Sequence, residues 1–440
     1  MGHYLPSTDR QREEMLRALR IQSLEELYRD LPEGLVLSDG PKIPKGQGEL
    51  GVLRKFSSMA AENRVFSSVF RGAGAYRHYI PAVVSSVVSK ESFVTAYTPY
   101  QAEISQGVLQ AIFEYQTMIC ALTGLDASNA SVYDGATAAA EAVALCRDRK
   151  RSRALISAAS NPQVIQVVNT YCWAAGYEIE LIPERDGVTD LEVLETRLGP
   201  DVSCVYLEQL SYFGQMEDAK AASSLTHQAG AKFILGVNPI AAALLPSAAE
   251  CGADIAVGEG QPLGIPLSFG GPYLGFMAAT DALTRKLPGR MVGETVDANG
   301  NRAFVLTLQA REQHIRREKA SSNICSNQAL CATAAATYLA AMGPQGLREV
   351  AQQCYQKAHY FAEALATIPG LTLRHKGEFF HEFVTDLPGD AAKLLEALEA
   401  QGILGGLPLP DGGILWCVTE VNAREEMDTV VKLAREVCAS

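Results

Sequence analysis

The sequence predicts an α/β protein: a large domain built on a doubly wound, mostly parallel sheet, followed by a smaller α+β domain. Three observations carry this. Between residues 130 and 279, short apolar runs alternate with helical stretches, the mark of βαβ units. The runs are rich in Val, Ile and Leu with no polar alternation, as expected of strands covered by helices on both faces. Beyond residue 343 the order changes to helix, two nearby strands, helix, strand and helix.

The elements follow in order. Ser7 and Thr8 stand ahead of Asp9, and Met15, Leu16 and Leu19 supply an apolar face, so a capped helix begins here. Leu24, Leu27 and Leu31 continue it as a second short helix. Residues 31–48 are punctuated by Pro32, Gly34, Gly40, Pro41, Pro44, Gly46 and Gly48, which reads as an extended arm of the kind that wraps a partner subunit. An apolar helix spans 108–122. Residues 130–133 form a short run, Asp134-Gly135 turns, and an Ala-rich helix covers 136–146. Strands follow at 154–157, 178–182, 202–207, 232–237, 255–257 and 273–279. Helices at 163–175, at 190–198 and up to Gly230 separate the earlier ones. In the last part, helices are expected at 347–366, 390–401 and 425–437, with strands at 371–374, 379–385 and 414–418. The expected organisation is residues 1–60 as N-terminal helices and arm, 61–340 as the large domain and 341–440 as the small one.

Composition narrows the function. The chain has 440 residues, 48% hydrophobic and 20% charged, which is ordinary for a globular protein. Its net charge of −12 argues against nucleic-acid binding and against adsorption to an anionic membrane. No run approaches the length of a spanning helix, and the charged N-terminus has no signal-peptide core. The ten cysteines form no Cys-x-x-Cys pair and sit singly in apolar stretches, so free thiols in a reducing compartment are expected. The seven histidines show no zinc-ligand spacing, and no metal is expected. A cytoplasmic location follows.

Four stretches stand out. Asp134, Gly135, Ala136 and Thr137 open a helix, where free N–H groups suit a phosphate; the plain alternative is an N-cap. Residues 95–107, with Tyr97, Thr98, Pro99 and Tyr100, put stiff aromatics on a pre-set loop and suit a pocket wall or a packed interface. Residues 258–272 are rich in Gly and Pro yet carry Leu263, Ile265, Leu267 and Phe269, so the loop is sharply shaped and meets something closely. Residues 311–324 combine a charge run, including Arg316 and Arg317, with Ser321, Ser322 and Asn323, a polar turn able to donate to phosphate or carboxylate.

Taken together these stretches resemble one family. The segments YLPSTDRQREEML, GAYRHYIPAVV, TAYTPYQAEISQG, NASVYDGATAAAEA, VGEGQPLGIPLSFGGPYLGF and LQAREQHIRREKASSNICSNQAL are similar to the first subunits of the split P-protein of the glycine cleavage system. The resemblance covers essentially the whole chain. It implies the type I fold of pyridoxal-phosphate enzymes. It implies a homologous second subunit in an α2β2 heterotetramer, glycine as substrate and the lipoyl group of H-protein as co-substrate.

The residues can then be asked whether this chain holds the cofactor. Such a fold needs a phosphate cradle, an acid on the pyridine nitrogen and a Schiff-base lysine. Asp134 to Thr137 offer a vestigial cradle. The strand at 232–237 carries no acid, only Gly236 and Val237 followed by Asn238. No lysine lies between Lys232 and Lys286, and the resemblance places Gln261 where the second subunit carries its lysine. Glutamine forms no imine. The expectation is a subunit with no catalytic residue of its own and no covalent cofactor, which completes its partner's pyridoxal-phosphate site. Tyr97, Thr98 and Tyr100 are candidates for the wall, Ser321, Ser322 and Asn323 for the cofactor phosphate across the interface, and Arg316 and Arg317 for an anion. Two alternatives stand beside this. One is a purely structural or regulatory partner; the other is a complete homodimeric aminotransferase or lyase using another lysine, with Lys319 nearest.

Overall fold

The computed structural model describes residues 7–32, 34–37, 40, 42–94, 99–320 and 322–438. The chain divides into two units, Met1–Val65 and Phe66–Ser440.

In the first unit a helix runs over Asp9–Leu19. Thr8 caps it: its hydroxyl accepts the Gln11 N–H at 3.3 Å, and the Gln11 side chain accepts the Thr8 N–H at 2.8 Å. This reciprocal pair satisfies two otherwise orphan donors. A 3-10 turn follows at Leu24–Tyr28. A helix at Glu49–Ala61 was not expected from the sequence; it begins where the Gly- and Pro-rich stretch ends. No described residue of this unit is buried, and Leu50, Leu53, Phe56 and Met59 face outward.

The second unit is organised by a sheet of seven strands among the described residues. They are β1 (Ala127–Ser128), β2 (Arg153–Ser157), β3 (Glu178–Ile182), β4 (Val202–Glu208), β5 (Lys232–Gly236), β6 (Ile255–Glu259) and β7 (Gly275–Ala279). Their order is β1-β7-β6-β5-β4-β2-β3. The contiguous run from β6 to β3 is parallel, and β7 runs antiparallel to both its neighbours. One face packs on the helices Gly135–Cys146 and Pro162–Ala174 through Ala139, Val143, Ile156, Val168 and Ile234. The other face packs on the helix Gln106–Thr123 and the long C-terminal helix through Tyr115, Leu155, Phe233, Leu235 and Tyr338. Covering on both sides explains why these strands read as unbroken apolar runs.

Several expectations shift. The run 130–133 is not a strand: β1 lies earlier, and Val132 makes only a single bridge to Gly275. The hairpin Val292–Val296 with Arg302–Leu306 was not anticipated. The charge run 311–319 is not one helix; it breaks into short turns at Arg317, which has a φ of 54°. The helix expected at 347–366 begins earlier and continues an upstream one. Helical backbone spans Ala329–Ala366 and is interrupted at Gly343 (φ 62°, ψ 178°) ahead of Pro344. Only glycine takes that conformation cheaply, and the following proline cannot donate back into the preceding turn.

The last part holds a four-stranded antiparallel sheet ordered Thr372–Leu373, Glu382–Asp386, Ile414–Cys417 and Leu407–Pro408. Trp416 is fully buried there. Its indole N–H donates to Thr385 Oγ1 at 2.8 Å, and Phe361 meets its ring edge-on at 5.4 Å. Replacing Trp416 with alanine removes this packing and orphans the Thr385 hydroxyl. The expected cost is about 3–5 kcal/mol, read as a lowered urea midpoint at unchanged slope.

Candidate functional site

A cavity of about 600 Å³ opens beyond the C-terminal ends of β4, β5 and β6, where open α/β sheets hold their ligands. Helix Gly135–Cys146 points its N-terminus at it. The geometry there turns on Glu259, the last residue of β6. Its carboxylate accepts the Gly135 N–H at 3.0 Å, the Gln261 N–H at 2.9 Å and the Leu274 N–H at 3.0 Å. Asp134 takes the Thr137 N–H at 2.7 Å. Residues Asp134 to Thr137 are thus brought against the 258–272 loop. Two carboxylates of this chain already stand where an anion would be cradled. Burial raises the Glu259 pKa, although its three N–H bonds pull the other way.

Gln261 is 2% exposed. Its amide nitrogen donates to the carbonyls of Tyr76 (2.9 Å) and Ile265 (2.8 Å), and its oxygen accepts the Tyr76 N–H at 3.0 Å. The side chain is a clamp between two backbone segments, with both of its N–H donors spent. Asn238, beside the end of β5, turns its amide oxygen to the backbone, accepting the N–H groups of Ile240 and Ala241. The cavity wall holds no lysine. This cavity does not suit pyridoxal phosphate. It lacks an amine for the aldehyde, has no acid on β5, and presents negative side chains to a phosphate.

What lines it instead is a buried set of acids and aromatic residues. Glu208 closes β4 and accepts the Asn161 N–H at 2.9 Å and the Tyr206 hydroxyl at 3.1 Å. Glu382 accepts the Ala73 N–H at 2.6 Å and the Tyr76 hydroxyl at 2.7 Å. Burial pushes both carboxyl pKa values up to about 7. His381, 2% exposed, has its pKa pushed down to about 3 by the same desolvation, and its ring stands 4.6 Å from that of Tyr76. Sequence reading missed these residues. Glu208 left a signal, a charge ending an apolar strand. His381 and Glu382 left none, being separated from β4 by the helices and strands between.

The remaining candidates gather elsewhere. Tyr97, Thr98 and Ser321 lie outside the described residues. Tyr100 donates to Asn327 Oδ1, whose amide nitrogen donates to Ser131 at 2.7 Å. Arg290 lies 5.0 Å from the Tyr100 ring centroid and pairs with Glu312 at 2.7 Å. Burial pushes the Tyr100 pKa up to about 12. Tyr100 therefore joins the described part of the 95–107 loop to Asn327, just past the 311–324 stretch, and through Arg290 to Glu312 within it. Ser322 and Asn323 lie beside Arg317 and Glu141 at a smaller cavity of about 330 Å³. Arg316 is exposed and donates to the Ala310 carbonyl at 3.2 Å.

A further cluster invisible in the sequence joins His78, Cys354 and Glu420. The imidazole Nδ1 meets the carboxylate at 2.7 Å and the thiol donates to it at 3.4 Å. All ten cysteines are free, and Cys325 is the exposed exception to their expected burial.

The buried acids give stability a definite pH dependence. Glu382 titrates near 7 when folded and near 4.5 when unfolded. Folding thus takes up a proton between these values. Its stabilising contribution is complete below about pH 4.5 and is lost as pH rises through about 7. The Glu382→Gln variant should therefore gain roughly 2 kcal/mol on the parent between pH 5 and pH 8, measured by urea unfolding at both values.

The comparisons agree on one family. The chain matches the family described as "Glycine cleavage system P-protein" over residues 2–434. It is 50% identical over 443 residues to the "Probable glycine dehydrogenase (decarboxylating) subunit 1" of Moorella thermoacetica, covering 99% of this chain and all of that one. A crystal structure of glycine decarboxylase (P-protein) of the glycine cleavage system, in inhibitor-bound form, superposes with a TM-score of 0.93 at 41% identity, over 99% of this chain and 100% of that one. At 16% identity, a C-DES mutant with glycine covalently linked to its pyridoxal-phosphate cofactor shares the fold alone, with a TM-score of 0.62 over 86% of this chain and 97% of that one. The fold is that of type I pyridoxal-phosphate enzymes, and the chain belongs to the glycine cleavage system P-protein family, as a subunit of glycine dehydrogenase (decarboxylating).

Proposed function

We propose that this chain is the cofactor-free half of a two-chain glycine dehydrogenase and that it completes the active site of a homologous, lysine-bearing second subunit. The single observation that carries this is Gln261. It stands where the resemblance places the lysine, and both of its N–H donors and one acceptor position are spent on the Tyr76 and Ile265 backbone. Glu259 and Asp134 on the helix N-terminus point the same way.

Pyridoxal phosphate then resides on the second subunit, in an α2β2 heterotetramer in the cytoplasm. There glycine is decarboxylated and the aminomethyl group passes to the lipoyl group of H-protein. This chain supplies positioning. Tyr100 and its Asn327 bond hold the 95–107 loop, from which Tyr97 and Thr98 extend the wall by sequence. Ser321, Ser322 and Asn323 donate toward the partner's cofactor phosphate, and Arg316 and Arg317 offer cations to a carboxylate or to acidic residues of H-protein. The N-terminal unit supports a partner independently. It leaves Leu50, Leu53, Phe56 and Met59 in solvent on one short helix, a cost that a covering subunit removes. Among the described residues no helix is long and apolar enough to cross a membrane.

Borohydride reduction separates the readings. The chain alone, incubated with pyridoxal phosphate and reduced, should carry no stoichiometric adduct. Addition of the second subunit and lipoyl-H-protein should bring glycine–carbon dioxide exchange and an adduct on the second subunit only. A stoichiometric adduct on a lysine of this chain would mean a homodimeric enzyme instead. Within the complex, Asn323→Ala should weaken pyridoxal-phosphate binding about tenfold, the worth of one charge-assisted hydrogen bond. Unchanged affinity in Asn323→Ala, Ser322→Ala and Tyr100→Phe would leave the chain a purely structural partner.

A further inference from the structure

The cluster of His78, Cys354 and Glu420 lies where three distant parts of the second unit meet. His78 belongs to the stretch that leads into the large sheet. Cys354 sits on the second half of the helix Ala329–Ala366, and Glu420 on the turn after the strand Ile414–Cys417. His78 and Glu420 are 342 residues apart, so no ligand spacing in the sequence could reveal them. None of the three lines the large cavity.

A ring nitrogen, a sulfur and a carboxylate oxygen here lie within 4.8 Å of one another. The side chains of His78 and Glu420 are 3% and 8% exposed, and Cys354 is fully buried. Glu420 Oε2 is the point of convergence, with His78 Nδ1 at 2.7 Å and Cys354 Sγ at 3.4 Å. The other oxygen, Oε1, is held by the Tyr79 N–H at 2.7 Å, and Lys357 donates to the Glu420 main-chain carbonyl. The carboxylate is thus fixed and presents one oxygen to the imidazole and the thiol. Tyr338 supplies an independent observation. It is fully buried, and its hydroxyl has no hydrogen-bond partner among the described residues. Burial raises its pKa, and Glu420 and Cys354 raise it further, so the phenol stands beside the cluster. A buried hydroxyl left unpaired costs free energy that a ligand recovers.

We propose that His78 Nδ1, Cys354 Sγ and Glu420 Oε2 form a binding site for a divalent metal ion of the zinc kind, with a water in the fourth position bonded to the Tyr338 hydroxyl. Thiolate with imidazole and carboxylate is a donor set for zinc; magnesium and calcium take oxygen ligands. The charges match as well. One thiolate and one carboxylate neutralise a divalent cation, which is what a buried site requires. On loading, the thiol proton leaves to solvent, and the imidazole binds through Nδ1 with its remaining proton on Nε2. No electron is transferred. The ion ties the 66–81 stretch, the long helix and the last turn before the C-terminal helix to one point. Its role is structural and independent of how the chain serves its partner.

The test uses the purified, untagged full-length chain, stripped by a chelator and titrated with cobalt(II) chloride. A cobalt–thiolate bond gives a near-ultraviolet charge-transfer band. One equivalent per chain should bring up that band, zinc chloride should abolish it by displacement, and excess magnesium chloride should leave it unchanged. Cys354→Ser should remove the band. Glu420→Gln should weaken cobalt binding about tenfold or more, since groups that merely orient a ligand already cost that much. Cys325→Ser, at the exposed thiol, should leave band and affinity unchanged. No band at one equivalent, a band that survives Cys354→Ser, or unchanged affinity in Glu420→Gln would overturn the proposal. Should a variant fail to fold, X-ray absorption on the zinc-loaded parent chain decides. One sulfur at about 2.3 Å among nitrogen and oxygen neighbours supports the site; no sulfur, or several, overturns it.

Discussion

The three hydrogen bonds to the Glu259 carboxylate organise the centre of this molecule. They join the end of β6, the first turn of the helix Gly135–Cys146 and the entry to β7. A buried carboxylate is tolerable only when its oxygens are satisfied, and here satisfaction comes from backbone donors of three elements at once. The Gly135 bond, with the Asp134 cap on Thr137, also takes two of the donors that the helix N-terminus would offer an anion. Close approach is required, since a Cβ on Gly135 would stand 2.8 Å from the Glu259 nitrogen. One residue thus fixes the local packing and decides what chemistry the cavity can hold.

Gln261 extends the same logic two residues on. A lysine there would have to be desolvated or find an aldehyde. A glutamine can be buried outright because its donor and acceptor meet the backbone of Tyr76 and Ile265. The stretch around Tyr76 in turn contacts the small domain, through the Tyr76 hydroxyl on Glu382 and the His78–Glu420 pair. Gln261 therefore ties the loop after β6 to the same stretch that joins the C-terminal part. On the reading proposed above, the family's chemistry belongs to the homologous chain, while the fold and the cavity persist here.

Much of this architecture was legible locally. The parallel core strands could be read because burial on both faces leaves unbroken Val, Ile and Leu. Helix starts at Thr8, Asp134 and Asp190 could be read because their caps are chemical, not statistical. The hairpin at 292–306 and the helix break at Gly343 were less legible, since neither carries a repeating pattern long enough to identify. The Ala-rich segment before Gly343 has no polar face to reveal its period.

The sequence alone determined that no lysine lies in the loop after β6, where the resemblance places the Schiff-base lysine of the second subunit. Absence of lysine from residues 233–285 is a covalent fact that no folding can reverse. It also determined the fold class, because hydrophobic period and cap chemistry are local properties. Tertiary structure decided what replaced the lost function. That Glu259 accepts from the helix N-terminus, that Gln261 clamps the Tyr76 and Ile265 backbone, and that Glu208, Glu382 and His381 share one cavity all depend on segments far apart in the chain. Their carboxyl and imidazole groups acquire their character from desolvation, which exists only once the surrounding elements have assembled.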